Sequence, residues 1–282
     1  MDSLIKALAF DDTVRIVAAV TTQTVHDAMR THDTGPTAST ALGRLLTATM
    51  LLGATKKGDE RLTLQIDGQG PIGKIVATAQ NVGEVYGTVE NPHAEKPLRT
   101  DGSLDVSGVV GDGFLTAIRT IGVGEPYISA VPLATGEIGD DVAKYLADSE
   151  QIRSAVGVGV RVSPEGDCVG AGGFLVQVLG GVTDAQLDLL EAKLAELNQL
   201  SKDIEAGATA TSIINTLTGG DFRVLEETPA RYRCPRERAY FSERLKTLGP
   251  DTLHEAFAGT GKLEVICEYC RTSYEYTPED LA

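Results

Sequence analysis

The chain has 282 residues, 42% of them hydrophobic and 23% charged, which is the make-up of a folded globular protein and not of a disordered or fibrous one. Its 25 basic against 40 acidic residues leave a formal charge of −15, which argues against nucleic acid as a partner. No uncharged apolar run approaches the ~20 residues needed to cross a bilayer, and Lys6, Asp11, Asp12 and Arg15 interrupt the first residues, where an export signal would lie.

Thr13 to Val20 reads as a strand, and Ser39 to Leu52 as a helix with Pro36 near its start and Gly53 near its end. That helix is apolar on most faces and is expected inside the domain. From Arg61 to Arg119 the pattern turns short and β-like, with turns at Asp67-Gly68, Gly83 and Asp101-Gly102. Leu62–Ile66, Lys74–Ala77 and Val106–Val109 alternate as strands do, and Tyr127–Leu133, Val156–Val162 and Gly172–Leu179 add three more. Asp140–Ala147 reads as a short helix. Short turns between successive strands point to a mixed or antiparallel sheet.

At Thr183 the texture changes. Thr183 and Gln186 make a capping-box pair, and Leu187, Leu190, Leu194 and Leu197 follow at three- and four-residue spacing, opposite Asp188, Glu191, Lys193 and Glu196. The spacing predicts an amphipathic helix. A second helical piece is expected from Ser212 to Leu217, ended by Gly219-Gly220.

The chemistry gathers in the tail. Cys234, Cys267 and Cys270 are three of the four cysteines, and the Cys267-Glu268-Tyr269-Cys270 turn aims two sulfurs at one point, which suits a tetrahedral zinc or a reversible disulfide. Leu263–Val265 and Tyr274–Tyr276 flank it as two short strands. Arg236, Arg238 and Arg271 beside the cysteines favour thiolates. A structural zinc site needs four ligands, and His254, between Cys234 and Cys267, is the one histidine positioned in sequence to supply the fourth. His26, His32 and His93 lack ligand spacing and read as surface or capping residues. Cys168 reads as a small packing residue. Gly68-Gln69-Gly70-Pro71-Ile72-Gly73 formally matches a dinucleotide fingerprint, but Pro71 and the strand-like Lys74–Ala79 deny it the required helix N-terminus, so a β-turn is expected. No Ser-His-Asp, HExxH or P-loop arrangement is present, and the chain does not read as an enzyme.

Taken together these segments resemble the 33 kDa chaperonin family over nearly the whole chain. The resemblance rests on Ala41-Leu42-Gly43-Arg44-Leu45-Leu46, Gly68-x-Gly70-Pro71, Asn91-Pro92, Glu125-Pro126-Tyr127, Gly136-Glu137-Ile138, Ser149-Glu150-Gln151, Ala171-Gly172-Gly173-Phe174-Leu175-Val176-Gln177, Arg236-Glu237-Arg238 and Cys267-x-x-Cys270. It implies a redox-regulated, ATP-independent holdase for unfolding client proteins. One zinc is held by thiolates in the reduced, inactive state, and oxidation forms disulfides, here Cys267 with Cys270, releases the metal and loosens tail and linker. It also implies a cytoplasmic location, a homodimer in the active state, and neither nucleic-acid nor membrane partners. The family carries Cys-x-Cys before its Cys-x-x-Cys. This chain does not: either Tyr232 stands at the first cysteine, or the second is lost with a two-residue deletion. The zinc ligands in view are therefore Cys234, Cys267 and Cys270, and an incomplete set predicts a looser tail and holding at lower peroxide.

The fold expected is α+β: a mixed or antiparallel β-sheet body with packed helices over residues 1–180, a helical linker over 181–227 and a small C-terminal cysteine domain of zinc type over 228–282. The candidate client-binding residues are Leu187, Leu190, Leu194 and Leu197, with permanent packing of that helix on the sheet as the opposing reading. The rivals are a zinc-ribbon protein-docking regulator and a thiol-disulfide oxidoreductase using Cys267 and Cys270. No thioredoxin-like strand–helix context surrounds that pair.

Overall fold

The computed structural model describes every residue except 57, 59, 81, 123, 260 and 282. In chain order, β1 (Ser3–Ala9) and β2 (Val14–Val20) form a hairpin, followed by α1 (Thr22–His32) and the long α2 (Pro36–Gly53). Then come β3 (Arg61–Gly68), β4 (Lys74–Ala79), β5 (Glu84–Val89), α3 (Val106–Val110), β6 (Gly113–Thr120), β7 (Tyr127–Pro132), α4 (Gly139–Tyr145), β8 (Ser154–Val162) and β9 (Cys168–Val178). Three helices, α5 (Asp184–Glu196), α6 (Leu200–Glu205) and α7 (Ala210–Thr218), lead to β10 (Phe222–Pro229) and β11 (Arg231–Tyr232). The last stretch holds α8 (Arg238–Leu245), α9 (Pro250–Phe257), β12 (Leu263–Ile266) and β13 (Ser273–Tyr276). The fold is α+β, as the sequence predicts, and it divides into a body, Met1–Tyr232, and a tail, Arg233–Ala282.

Two sheets build the body. One runs β10-β1-β2-β9-β8, antiparallel throughout; the other runs β11-β5-β4-β3-β6-β7, antiparallel except for the parallel β11–β5 pair. Helix α2 contributes to the main core, which joins Leu4, Val17, Ala19 and Leu175 of the first sheet to Leu62, Leu64, Ile75, Val85 and Leu115 of the second. Its apolar, nearly all-buried surface is explained by this packing on both sheets, with Pro36 setting the first turn. Its buried threonines stay satisfied: Thr49 donates to Leu45 O, and the Thr47 and Thr21 hydroxyls lie 2.8 Å apart.

The first sheet is buried on both faces. Because side chains alternate along a strand, Leu4, Val17 and Ala19 face the main core, while Ile5, Ile16, Ala18, Phe174 and Val176 face a second core roofed by α5, α6 and α7. Leu190, Leu200, Ile204, Ile213, Ile214 and Leu217 fill that roof.

Gly43 marks the closest approach of α2 to its neighbours. A Cβ there would lie 2.6 Å from Val25 Cγ1 and 3.0 Å from Val160 Cγ2, both β-branched and stiff. We expect Gly43→Ala to destabilise the body by about 1–3 kcal/mol, the range for overpacking a filled core. Chemical denaturation monitored by circular dichroism checks it, and an unchanged midpoint would show that Val25 and Val160 yield freely.

Several local readings are corrected. Val106–Val109 is the helical turn α3, not a strand, because Asp105 caps it by accepting from Gly108 N at 3.0 Å. The glycine loop is the β3–β4 turn, and a Cβ on Gly70 would meet Val109 O at 2.2 Å, so the glycine is required by close packing. Residues 181–227 are not wholly helical, since they run into β10, which pairs with β1 over its length. His32 is buried, not surface-lying: its Nε2 lies 2.9 Å from Gly87 O and 3.1 Å from the Tyr232 hydroxyl, which itself donates to Gly87 O at 2.9 Å. With Arg231 N donating to Gly83 O, this ties the last residues of the body to β5.

Candidate metal centre

Two pieces of the tail build the centre. The first is the Arg233–Glu237 segment that carries Cys234 and enters α8. The second is the β12–β13 hairpin, whose register runs from Leu263 opposite Tyr276 to Ile266 opposite Ser273. Its turn is a tight knuckle: Cys267 N donates to Thr272 O at 2.9 Å and Arg271 N to Cys267 O at 2.8 Å. Arg271 adopts the left-handed backbone (φ 56°), which costs a non-glycine residue and is held there by the turn.

The knuckle and the entering segment bring Cys234, Cys267 and Cys270 together. Their three sulfurs lie within 4.8 Å of one another, with Cys234 and Cys267 Sγ at 3.9 Å. Thiolates at ~2.3 Å from a tetrahedral zinc sit roughly 3.8 Å apart; the Cys234–Cys267 pair has that spacing, and the three sulfurs together could hold a metal ion. The backbone N–H of Arg236 bonds Cys234 and that of Thr272 bonds Cys270, two donors aimed at sulfur from two residues downstream. Such donors stabilise thiolate ligands.

The acid–base chemistry fits a ligand set. Burial pushes the Cys234 thiol up to about 12, the neighbouring Cys267 and Cys270 adding to it despite the Arg236 N–H. Burial also works to raise Cys270, but hydrogen bonds from the Thr272 hydroxyl and N–H and from the other two thiols outweigh it and hold it below the ordinary thiol value. Cys270 thus leans toward the thiolate and Cys234 toward the thiol, and a bound cation would favour the thiolate at both.

Aromatic contacts hold the two pieces together in place of a large core. The Arg236 guanidinium lies 4.1 Å from the Tyr269 ring centre and 5.2 Å from that of Tyr240, and Arg238 lies 4.4 Å from Tyr276. Tyr274 donates to Arg236 O at 3.1 Å and Tyr276 to Arg238 O at 2.7 Å. Sequence reasoning missed this staple. The available signal was the gathering of four of the eight tyrosines beyond residue 233.

Other predicted residues fall elsewhere. Among the described residues no histidine or carboxylate joins the three sulfurs; His254 lies exposed on α9. Tyr232 is engaged in the body with His32 and Gly87. Cys168 is buried there among Val25, Met29, Val160 and Ala171, its thiol raised to about 12 by burial. Leu190 is buried and Leu194 and Leu197 half-buried against the second core, while Leu187 is half-buried outside it. No described helix is long and apolar enough to cross a membrane.

The family model described as Hsp33 protein matches residues 2–277. The chain belongs to this family. It is 41% identical over 282 residues to the 33 kDa chaperonin of Bacillus licheniformis, covering 100% of this chain and 98% of that one. Against the 33 kDa chaperonin of Bacillus subtilis it is again 41% identical, covering 100% and 97%. The crystal structure of the 33 kDa chaperonin (heat shock protein 33 homolog) from Thermotoga maritima superposes with a TM-score of 0.89 at 32% identity, over 99% of this chain and 96% of that one. The Hsp33 family is a chaperone family and not an enzyme family, and chaperone function implies the binding of unfolded clients.

Proposed function

We propose that this chain is a redox-regulated, ATP-independent holdase whose switch is the three-sulfur cluster of the tail. The observation that carries the reading is the convergence of Cys234, Cys267 and Cys270 in a chain of the Hsp33 family. In the reduced state the three thiolates would hold zinc, which when bound supplies folding energy to a tail of roughly fifty residues, too small for a large core of its own. Peroxide converts Cys267 and Cys270 to a disulfide, the sulfurs no longer hold the ion, and the tail loosens.

In this reading the functional parts are a core over residues 1–180, a linker over 181–227 and a switch domain over 228–282. The client-binding surface is the second core turned outward, with Leu187, Leu190, Leu194 and Leu197 on one side. Its partners are unfolding proteins and, in the active state, a second copy of the chain, in the cytoplasm, with no nucleic acid or membrane involved.

Zinc per chain, measured on reduced protein and again after peroxide alongside suppression of client aggregation, tests the switch. One zinc, released as holding appears, is expected. Zinc-free reduced protein, or holding unaffected by oxidant, would overturn it.

A further inference from the structure

The cluster holds an odd number of sulfurs. Two-electron oxidation joins two of them, and the third has no partner in the tail; Cys168, the remaining cysteine, is buried in the body behind Val25 and Met29. Chain closure favours the near pair. Whichever bridge forms first, the remaining thiolate exchanges with it once the tail has loosened, and closing the four-residue loop from Cys267 to Cys270 is then favoured about 25-fold over closing the 34-residue loop from Cys234 to Cys267, from the three-halves-power dependence on loop length. Cys234 is therefore the sulfur left over.

Its surroundings select a partner. Arg231, Arg233, Arg236 and Arg238 lie within four residues of Cys234, against Glu237 alone. In the folded protein Glu84, Glu268 and Asp280 balance Arg231, Arg236 and Arg238. Loosening the tail frees the last two from their carboxylates. An arginine-rich segment repels a second copy of itself and attracts a small thiol that carries carboxylates.

We propose that Cys234 is an S-thiolation site, taking a small anionic thiol in mixed disulfide when the tail is oxidised. This rests on the redox reading above. One peroxide oxidises the Cys267 or Cys270 thiolate to a sulfenic acid, releasing hydroxide. The other thiolate then attacks that sulfur, the S–S bond forms and hydroxide leaves. A second peroxide takes Cys234 to its sulfenic acid in the same way, and the small thiolate attacks there, again expelling hydroxide. The adduct protects Cys234 from irreversible oxidation. It also sets a bulky anion where its sulfur must enter the cluster, so the tail re-forms only after a reductant removes it.

The test treats the full reduced chain with peroxide and glutathione, alkylates free thiols and maps every cysteine by mass spectrometry. One internal Cys267–Cys270 disulfide with one glutathione on Cys234 is expected, with the adduct lost in Cys234→Ser and kept in Cys168→Ser. Zinc uptake should return only after glutathione is reduced off. A glutathione on Cys270 with Cys234 joined to Cys267, a covalent dimer through Cys234, or a bare or sulfinic Cys234 beside a closed Cys267–Cys270 bridge would each overturn the inference. Absence of any internal disulfide would instead sink the redox reading on which it stands.

Discussion

Cys267→Ser is expected to empty the metal centre. Cys267 is fully buried, lies 3.9 Å from Cys234 in sulfur separation, and anchors the knuckle through its own N–H and C=O. Structural zinc contributes about 10–16 kcal/mol in small thiolate domains, so each ligand accounts for roughly 3 kcal/mol, or a hundredfold and more in affinity. With three cysteines in place of four there is no margin. We expect zinc to fall from one per chain to none, and the tail to become protease-sensitive while the body keeps its cooperative melting. Cys168→Ser, in the body core, should leave zinc untouched. Retention of full zinc by Cys267→Ser would show that the metal is bound elsewhere.

Ile214→Asp is the second large effect. Ile214 is wholly buried in the second core on α7, beside Ile213 and Leu217. The substitution removes about 3 kcal/mol of apolar burial and confronts the sheet with a carboxylate that has no partner there, for a total of roughly 5 kcal/mol or more. The main core does not include α7, so detachment of the helical roof is the expected response, with the sheets left standing. The variant should hold unfolding clients without peroxide, read as suppressed aggregation. Hydrogen exchange should show α5–α7 unprotected. A roof that is open by exchange but still needs oxidant for holding would place the client surface elsewhere.

Much of this was legible in the sequence, and the failures have physical causes. Helix α2 and the α5 capping box could be read because one is apolar on most faces between Pro36 and Gly53 and the other has a reciprocal pair, Thr183 with Gln186, whose two hydrogen bonds both form. The β12–β13 hairpin was legible from alternation around the Cys-x-x-Cys turn. Helix α3 was not, since Val106, Val109 and Val110 suit a strand equally well and the decision lies in a cap from Asp105. Strand β1 and helix α1 were overlooked, the latter because its cap comes from outside the local sequence: Asp2 accepts from the N–H groups of Gln23 and Thr24. The three sulfurs could be named, but their convergence depends on Arg236 lying over Tyr269 and on hydroxyls from Tyr274 and Tyr276 reaching across thirty-eight residues.

Strand β10 gives the molecule a direction of unzipping. It lies in the chain between the roof helices and the tail, at the edge of the first sheet, paired only with β1 and mostly exposed. The roof is thus joined to β9 at one side and β10 at the other, and in the proposed switch a loosening of the tail would meet the Tyr232 clasp and then β10 before it reached α7. An edge strand gives way one hydrogen-bond pair at a time, and the bulge opposite Lys6 and Ala7 interrupts its ladder midway. On the proposed switch, the ease with which β10 peels from β1 would therefore set how much disorder in the tail is needed to lift the roof, as a ratchet pawl sets the force that turns its wheel.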